Sequence, residues 1–580
     1  MKNQIILRWC LVFLFASFIA SSCKKENKGN AGEDLPEEPP VENQVDPETA
    51  KSAGFFLDSW EAKTFITPSF NEIAKPVANA AATVTVDYAS VVTKVSKYLY
   101  GNNTNPYIGQ LVTEPVLVNH LKSLSPNVLR FPGGNLSSLY FWNAAPGQKP
   151  EDVPDRLYND EGVEAEAFYW YGKNNDSWTL SLDNYYSLLQ QTNSTGIITI
   201  NYGYARYGTS QNPVAKAAHL AANWVRYDRG KTKFWEIGNE SAGLWQAGYR
   251  INTSLNKDGQ PEVVSGALYG EHFKVFVDSM KKAAAEVGST IKIGAQLIHY
   301  NPQPWESVVD RTWNAGFFSK AGNLADFFII HSYYTPYGQN SNASVILNSA
   351  VTESKSMMDW MYTTTSTHGV QMKPIALTEW NIFAIGSKQS VSHIAGLHAT
   401  MVLGELLKNK YGMASRWDLA NGWDDGNDHG MFNKGDEPDG VSKWNPRPAF
   451  YHMYYFQKCF GDRMVSSTVK GSNLYSYASS FSSGEAGVVL VNTGIVQQTV
   501  KLVIDNFRTG TRYYWYTLAG DNDNGEFSRK VLINGNGPTG AAGGPPNYLS
   551  VKANSSKTDG EIKINVPPRS AVYMVVENRK

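Results

Sequence analysis

The chain has 580 residues, with 52 lysines and arginines against 53 aspartates and glutamates, for a formal net charge of -1. That balance excludes the basic footprint of a nucleic-acid binder and the polybasic patch of an electrostatic membrane binder. The length suffices for a full core without disulfides or structural metals.

The first predicted element is an address. Lys2 and Arg8 precede an apolar run from Cys10 to Ala20, and Ile19-Ala20-Ser21-Ser22-Cys23 follows. The run suits a signal peptide and is too short for a membrane-spanning helix. Small residues before Cys23 resemble a bacterial lipobox, so residues 1–22 are expected to be cleaved and Cys23 lipidated. With Cys10 removed and Cys23 acylated, Cys459 has no partner for an intrachain disulfide. Residues 23–52 are rich in Lys, Glu, Asp, Asn and Pro and nearly free of aromatics, which predicts a disordered tether. The implied location is the bacterial cell envelope, on either face of the outer membrane, with a lipid anchor as the only membrane partner.

Residues 53–96 contain a strand at Thr83–Asp87 that is expected to pair with a C-terminal domain. From 97 to 460 one unit repeats: a short apolar run, a polar loop, a helical stretch. The runs are Tyr98–Gly101, Asn127–Gly133, Gly196–Gly203, Lys233–Asn239, Ile291–Gln296, Phe327–Tyr333, Pro374–Trp380 and Ser415–Leu419. Helical periodicity fills Thr179–Thr192, Ala215–Asp228, Tyr269–Val287 and His393–Lys408. Near-continuous apolar strands alternating with helices argue for a parallel sheet buried on both faces, and eight of them for a (β/α)8 TIM barrel. Residues 461–580 change character. Short alternating runs at Leu474–Ala478, Gly487–Asn492, Thr499–Ile504, Arg512–Thr517 and Ile562–Val566 predict a C-terminal β-sandwich.

Several barrel runs end in polar or aromatic clusters: Arg130 to Asn135, Asn201-Tyr202, Asn239-Glu240, His331 to Tyr334, and Glu379-Trp380-Asn381. In a barrel these ends share the face where active sites form. Glu240 closes the run Phe234-Trp235-Glu236-Ile237-Gly238-Asn239, and Glu379 follows Pro374-Ile375-Ala376-Leu377. Cleaving a glycosidic bond needs a proton on the leaving oxygen and electron density at the anomeric carbon, and two facing carboxyl groups supply both. Arg130, Asn135, Asn201, Tyr202, His331, Tyr333 and Trp423 are candidates for lining the site, with Trp245 and Trp380 as stacking platforms.

These motifs resemble clan A of the glycoside hydrolases. Arg130-Phe131-Pro132-Gly133-Gly134-Asn135, Gly238-Asn239-Glu240 and Glu379-Trp380-Asn381 are similar to the family 51 α-L-arabinofuranosidases, as is the barrel-plus-sandwich layout. The resemblance implies a retaining enzyme with Glu240 as acid/base and Glu379 as nucleophile. It further implies Asn239 on the hydroxyl next to the anomeric carbon, and Tyr333 beside the nucleophile. The segment Phe141–Trp178 and the loop Gly422–Gly430 depart from the family pattern. Agarase-, porphyranase-, xylosidase- and endoglucanase-type activities of the clan therefore stay open, as does a non-catalytic glycan-binding lipoprotein.

No cofactor or metal is expected. Asp424, Asp425, Asn427 and Asp428 cluster, but lack the spacing of a calcium loop. Gly535 to Gly540 matches G-x-G-x-x-G in a turn-rich tail without a following helix, so it predicts no dinucleotide site. The partner implied is a polysaccharide or oligosaccharide.

Overall fold

The computed structural model describes residues 42–521 and 525–579; the signal segment, Cys23 and most of the expected tether lie outside them. Eight parallel strands close into a barrel: β1 (Gly101–Asn103), β2 (Val128–Phe131), β3 (Thr195–Ile200), β4 (Thr232–Ile237), β5 (Lys292–Gln296), β6 (Phe327–Tyr333), β7 (Ile375–Asn381) and β8 (Met413–Arg416). Each pairs with its sequence neighbours, and β8 closes on β1. The strands read as apolar runs because both faces are covered; every residue of β2 and β7 is buried. Several of the intervening helices start on serine N-caps. Ser265 accepts from the Leu268 N–H and Ser392 from the Ala395 N–H.

The first expected strand is displaced. Lys97–Tyr100 forms a 3-10 turn, and pairing begins at Gly101. The reason is local: the Ser96 hydroxyl accepts from the Tyr98 N–H, and the Tyr98 ring turns into the barrel base against Phe234 at 5.2 Å. That base is closed from below by the segment before it. A 3-10 turn, Gly54–Leu57, inserts Phe56 among Phe234 (5.2 Å), Phe327 (5.6 Å) and Tyr98 (6.2 Å). Residues 42–52 have no regular structure but are tied down, so the ordered chain begins before 53. Gln44 donates to the Tyr88 carbonyl, Asp46 pairs with Arg463, and buried Ser52 donates to the Lys410 carbonyl.

The rest forms one large, mainly antiparallel sheet that curls on itself into a sandwich. The strand expected at Thr83–Asp87 runs from Ala82 to Lys94 and lies inside that sheet, between Arg463–Lys470 and Gln498–Asp505. Alternating inward residues, among them Val84, Val86, Val488, Leu490, Ile564 and Met574, make a core separate from the barrel's. The sandwich is held to the barrel helices by buried polar contacts, such as Tyr477 on Glu405 (3.1 Å) and Tyr573 on His452 (2.8 Å). No helix among the described residues is long and apolar enough to cross a membrane.

Candidate active site

Glu240 and Glu379 leave the C-terminal ends of β4 and β7 and converge with His331, from the end of β6. One ligand atom of each lies within 4.8 Å of the others. Glu240 turns inward because the β4 exit is pinned. Gln296, the last residue of β5, donates to the Ile237 carbonyl (3.0 Å) and accepts from the Ser241 N–H (2.7 Å). The residue is held at φ +40°, a sparsely populated backbone region for a glutamate, as is common where a site fixes a side chain.

Glu379 is almost wholly buried. Its Oε1 accepts from Arg130 Nη1 (2.7 Å) and the Gly134 N–H (3.2 Å), and its Oε2 from the Tyr333 hydroxyl (3.3 Å). Glu240 is more open; its Oε1 meets His331 Nδ1 (2.9 Å) and its Oε2 accepts from the Trp245 indole N–H (2.9 Å). His331 Nε2 meets the Thr378 hydroxyl at 3.0 Å, which fixes the ring plane. Burial raises the Glu379 carboxyl above the usual carboxylate range, although His331 and Arg130 oppose it. Burial acts the same way on Glu240, but the His331 hydrogen bond and charge bring it below that range. Burial would lower His331, yet the Glu379 charge and the Glu240 bond outweigh it and hold it above the ordinary imidazole range. One hydrogen bond thus lowers Glu240 and raises His331 together, beside a carboxyl group held by a guanidinium.

Arg130 is the organiser. It is 0% exposed and donates through Nε to Glu236 (2.7 Å) and through Nη1 to Asn103 (3.0 Å) and Glu379. Its Nη2 donates to Asn239 Oδ1 (2.7 Å). It was expected to face substrate; its donors instead orient the nucleophile and Asn239. Four further expectations are corrected. Asn201 is buried and spent on the Tyr140 carbonyl, the Tyr207 hydroxyl and the Tyr204 N–H. Tyr202 is buried with its hydroxyl 3.1 Å from His272 Nδ1. Trp380 is fully buried, because alternate residues of β7 point away from the mouth that Glu379 faces. Trp423 is half-buried with the Arg529 and Arg447 guanidinium groups over its ring at 5.3 and 5.9 Å, so it packs on cations instead of offering a free face. The same loop binds Arg447 through Asp428 (2.7 and 2.6 Å). By contrast Asn135 is exposed, and Trp245 is 53% exposed beside Glu240.

Residues missed by the sequence reading sit around this set. Glu236, an acid inside an apolar strand, was the visible signal of a buried cation partner. Trp417 follows β8 and lies over Gly134; a β-carbon there would come within 2.6 Å of its ring, and Gly134 sits at φ +67°, so only glycine fits. Tyr107 donates to Asp418 Oδ2 (2.7 Å) at the nucleophile's side. Trp417 and Asp418 fall inside the run expected as a strand at Ser415–Leu419, but the strand ends at Arg416, and the short turn that carries Tyr107 gives no periodic signal.

Burial, opposed by the Tyr107 bond, pushes Asp418 up to about 8. An acid raised in the folded state is neutral there while the unfolded chain ionises. It therefore contributes stability at low pH that is lost as pH rises from about 4 to 8. Asp418→Asn, which cannot ionise, is expected to gain on the wild type by on the order of 1 kcal/mol per pH unit across that window. Melting temperatures of both proteins between pH 5 and 8 check this; parallel curves would contradict it.

Comparison with known proteins agrees with this geometry. Residues 120–344 match the family model described as the alpha-L-arabinofuranosidase 1 domain. The intracellular exo-alpha-(1->5)-L-arabinofuranosidase of Bifidobacterium longum is 22% identical over 54% of this chain and 52% of its own length. The enzyme of that name from Acetivibrio thermocellus is 20% identical over 44% of this chain and 48% of its own length. The chain thus spans about half the length of the curated relatives it matches. Among solved structures, the arabinose complex of the Thermotoga maritima alpha-L-arabinofuranosidase superposes with a TM-score of 0.59. It is 19% identical and covers 86% of this chain and all of that one. A bifunctional glucanase-xylanase from a metagenome library reaches a TM-score of 0.57 at 13% identity, over 87% of this chain and all of that one. The barrel sequence is thus similar to that of alpha-L-arabinofuranosidases, and the two-domain fold is the one that solved family 51 structures show.

Proposed function

We propose that the protein is a retaining glycoside hydrolase of α-L-arabinofuranosidase type that acts on a plant or algal polysaccharide. The observation that carries the reading is the approach of the Glu240 and Glu379 carboxylates to within 4.8 Å. A retaining pair stands about 5–5.5 Å apart, close enough for one carboxylate to attack directly; an inverting pair leaves roughly 6.5–9.5 Å for a water. Glu379, held by Arg130, Gly134 and Tyr333, attacks the anomeric carbon, and the bond to the leaving oxygen breaks. Glu240 delivers the proton of its bond to His331 to that oxygen. Water then gives a proton to Glu240 and its oxygen to the anomeric carbon, which releases Glu379.

A glycan-binding protein has no need of two converging carboxylates with an arginine behind one of them. An endo-acting hydrolase is the second reading, favoured by exposed aromatic side chains next to Trp245. The expectation at Cys23 belongs to the same proposal: a lipid anchor would hold the enzyme in the bacterial envelope, near polymeric substrate.

The test is reducing-sugar release from arabinan, arabinoxylan, xylan, β-glucan, agarose and porphyran by the full chain, followed by NMR of the first-formed anomer. Release with retained configuration is expected, from an arabinose-containing polymer. Inversion would refute the mechanism. Silence on every glycan would move the weight to the binding protein.

A further inference from the structure

The long segment between β2 and the helix Leu182–Thr192 builds a surface of its own. Tyr140–Phe141 pairs in parallel with Trp170–Tyr171, and Arg156–Tyr158 forms an antiparallel hairpin with Glu164–Glu166. The segment is anchored from inside. Trp142 stacks on Trp224 (5.8 Å) and donates to the Leu220 carbonyl (3.0 Å), and Tyr169 donates to the Pro154 carbonyl (2.6 Å). Asn252 ties down Glu164 at 2.7 Å.

Its outer side carries aromatics that the anchoring leaves free. Phe168 is 64% and Trp178 48% exposed. Half-buried Trp170 joins them, 5.3 Å from Phe168 and 5.9 Å from Trp178. Burying aromatic rings is a main driving force of folding, so three adjacent rings left at the surface mark a binding face. Beneath this shelf lies a cavity of about 280 Å³, with Phe168, Trp170 and Trp245 in its wall and Asn135, Asn159 and Glu166 as its polar members. Trp245 also lines the neighbouring pocket that holds Glu240 and His331, and its indole N–H is on Glu240.

We propose that this shelf binds the glycan chain on the leaving-group side of the cleaved bond, so that the substrate is a polymer or long oligosaccharide. The inference rests on the hydrolase reading for its direction. Glu240 protonates the leaving oxygen, so the sugar that follows the cleaved bond lies beside Glu240 and Trp245, and the next sugars continue onto the shelf. Stacked rings flanked by amide and carboxylate groups match a chain that alternates apolar C–H faces with hydroxyl rims. An unbranched apolar partner would leave Asn135, Asn159 and Glu166 without use.

Phe168→Ala and Trp178→Ala test it; both side chains are exposed, and neither touches the catalytic carboxylates. On 4-nitrophenyl α-L-arabinofuranoside, which places no sugar on the shelf, both variants should keep kcat/KM within about twofold. On arabinan and on 1,5-α-arabino-oligosaccharides of increasing length, kcat/KM should fall about tenfold or more, increasingly with chain length, as expected for loss of one aromatic contact. Affinity electrophoresis through gels holding arabinan, arabinoxylan, xylan, β-glucan or agarose gives a readout that needs no turnover. Glu379→Gln protein should be retarded by at least one polymer, and the retardation should fall when Phe168→Ala or Trp178→Ala is added. Retardation lost with the aromatics, in a wild-type protein that hydrolyses nothing, would sink the hydrolase reading and support the shelf. Equal retardation of all variants, retardation by no polymer, or length-independent kinetics would overturn the shelf. So would concentration-dependent dimerisation that the alanine variants abolish.

Discussion

Glu379→Gln abolishes glycoside turnover while leaving the fold and ligand binding in place: that is the largest effect expected here. The amide is nearly isosteric and keeps an oxygen toward Arg130 Nη1 (2.7 Å) and the Gly134 N–H (3.2 Å). It cannot form the glycosyl ester, and the loss should be on the order of 10⁴-fold or more, the scale on which a covalent nucleophile acts. One consequence for stability follows from burial. The wild-type site holds two carboxylates within 4.8 Å, and removing one charge relieves that repulsion. The variant should melt no lower than the wild type. Shortening the side chain makes the assignment specific. In Glu379→Ala, exogenous azide has room on the nucleophile's face and should give a glycosyl azide of inverted configuration. In Glu240→Ala it enters from the leaving-group side, after the ester has formed, and the azide should have retained configuration. Product NMR reads both, and the opposite pairing would exchange the roles of the two glutamates.

The barrel was legible because its physics repeats. Each strand buried on both faces must be apolar, and each helix between strands must show its own period, so eight cycles reinforce one another. The two glutamates were legible for a related reason: a charge where an apolar run ends stands at the barrel mouth. What the pattern does not carry is direction and distance. Arg130, Asn201, Tyr202 and Trp380 all stand at strand ends, and each is turned inward, where buried hydrogen bonds or packing consume it. Alternation along a strand could have warned of Trp380, the immediate neighbour of an inward Glu379. The 3-10 turn at Lys97–Tyr100 looks like a strand because Tyr98 and Leu99 are apolar enough; what decides it is the Ser96 cap on the Tyr98 N–H, and Phe56, more than 40 residues earlier, adds a ring for Tyr98 to pack on at 6.2 Å. The shelf at residues 140–178 was visible only as an oddity, since its strands are two or three residues long and carry no period.

The second large effect is expected at Arg130, a fully buried residue behind the nucleophile. It sits between Glu236 and Glu379 at 2.7 Å from each, with its guanidinium fully buried. Arg130→Met leaves two buried acids without their cation. Breaking a buried pair on one side costs about 3–5 kcal/mol, so a melting temperature several degrees lower is expected. Arg130→Lys separates charge from geometry. A lysine keeps the positive charge, but one ammonium group cannot reach Glu236, Asn103, Glu379 and Asn239 together. Activity should fall about 10²- to 10³-fold, as when a preorganised donor is lost from a site. The pH profile should move with a definite sign. Arg130 opposes the burial that raises the Glu379 carboxyl. Weakening that opposition raises Glu379 further, and the nucleophile is then protonated at a higher pH. The acid limb of kcat/KM should therefore shift upward in Arg130→Lys, while the alkaline limb, set by the proton in the Glu240–His331 bond, should move little. A unit-for-unit shift of both limbs, or an unchanged profile with a lower melting temperature, would assign Arg130 to the fold alone and remove it from the control of the nucleophile.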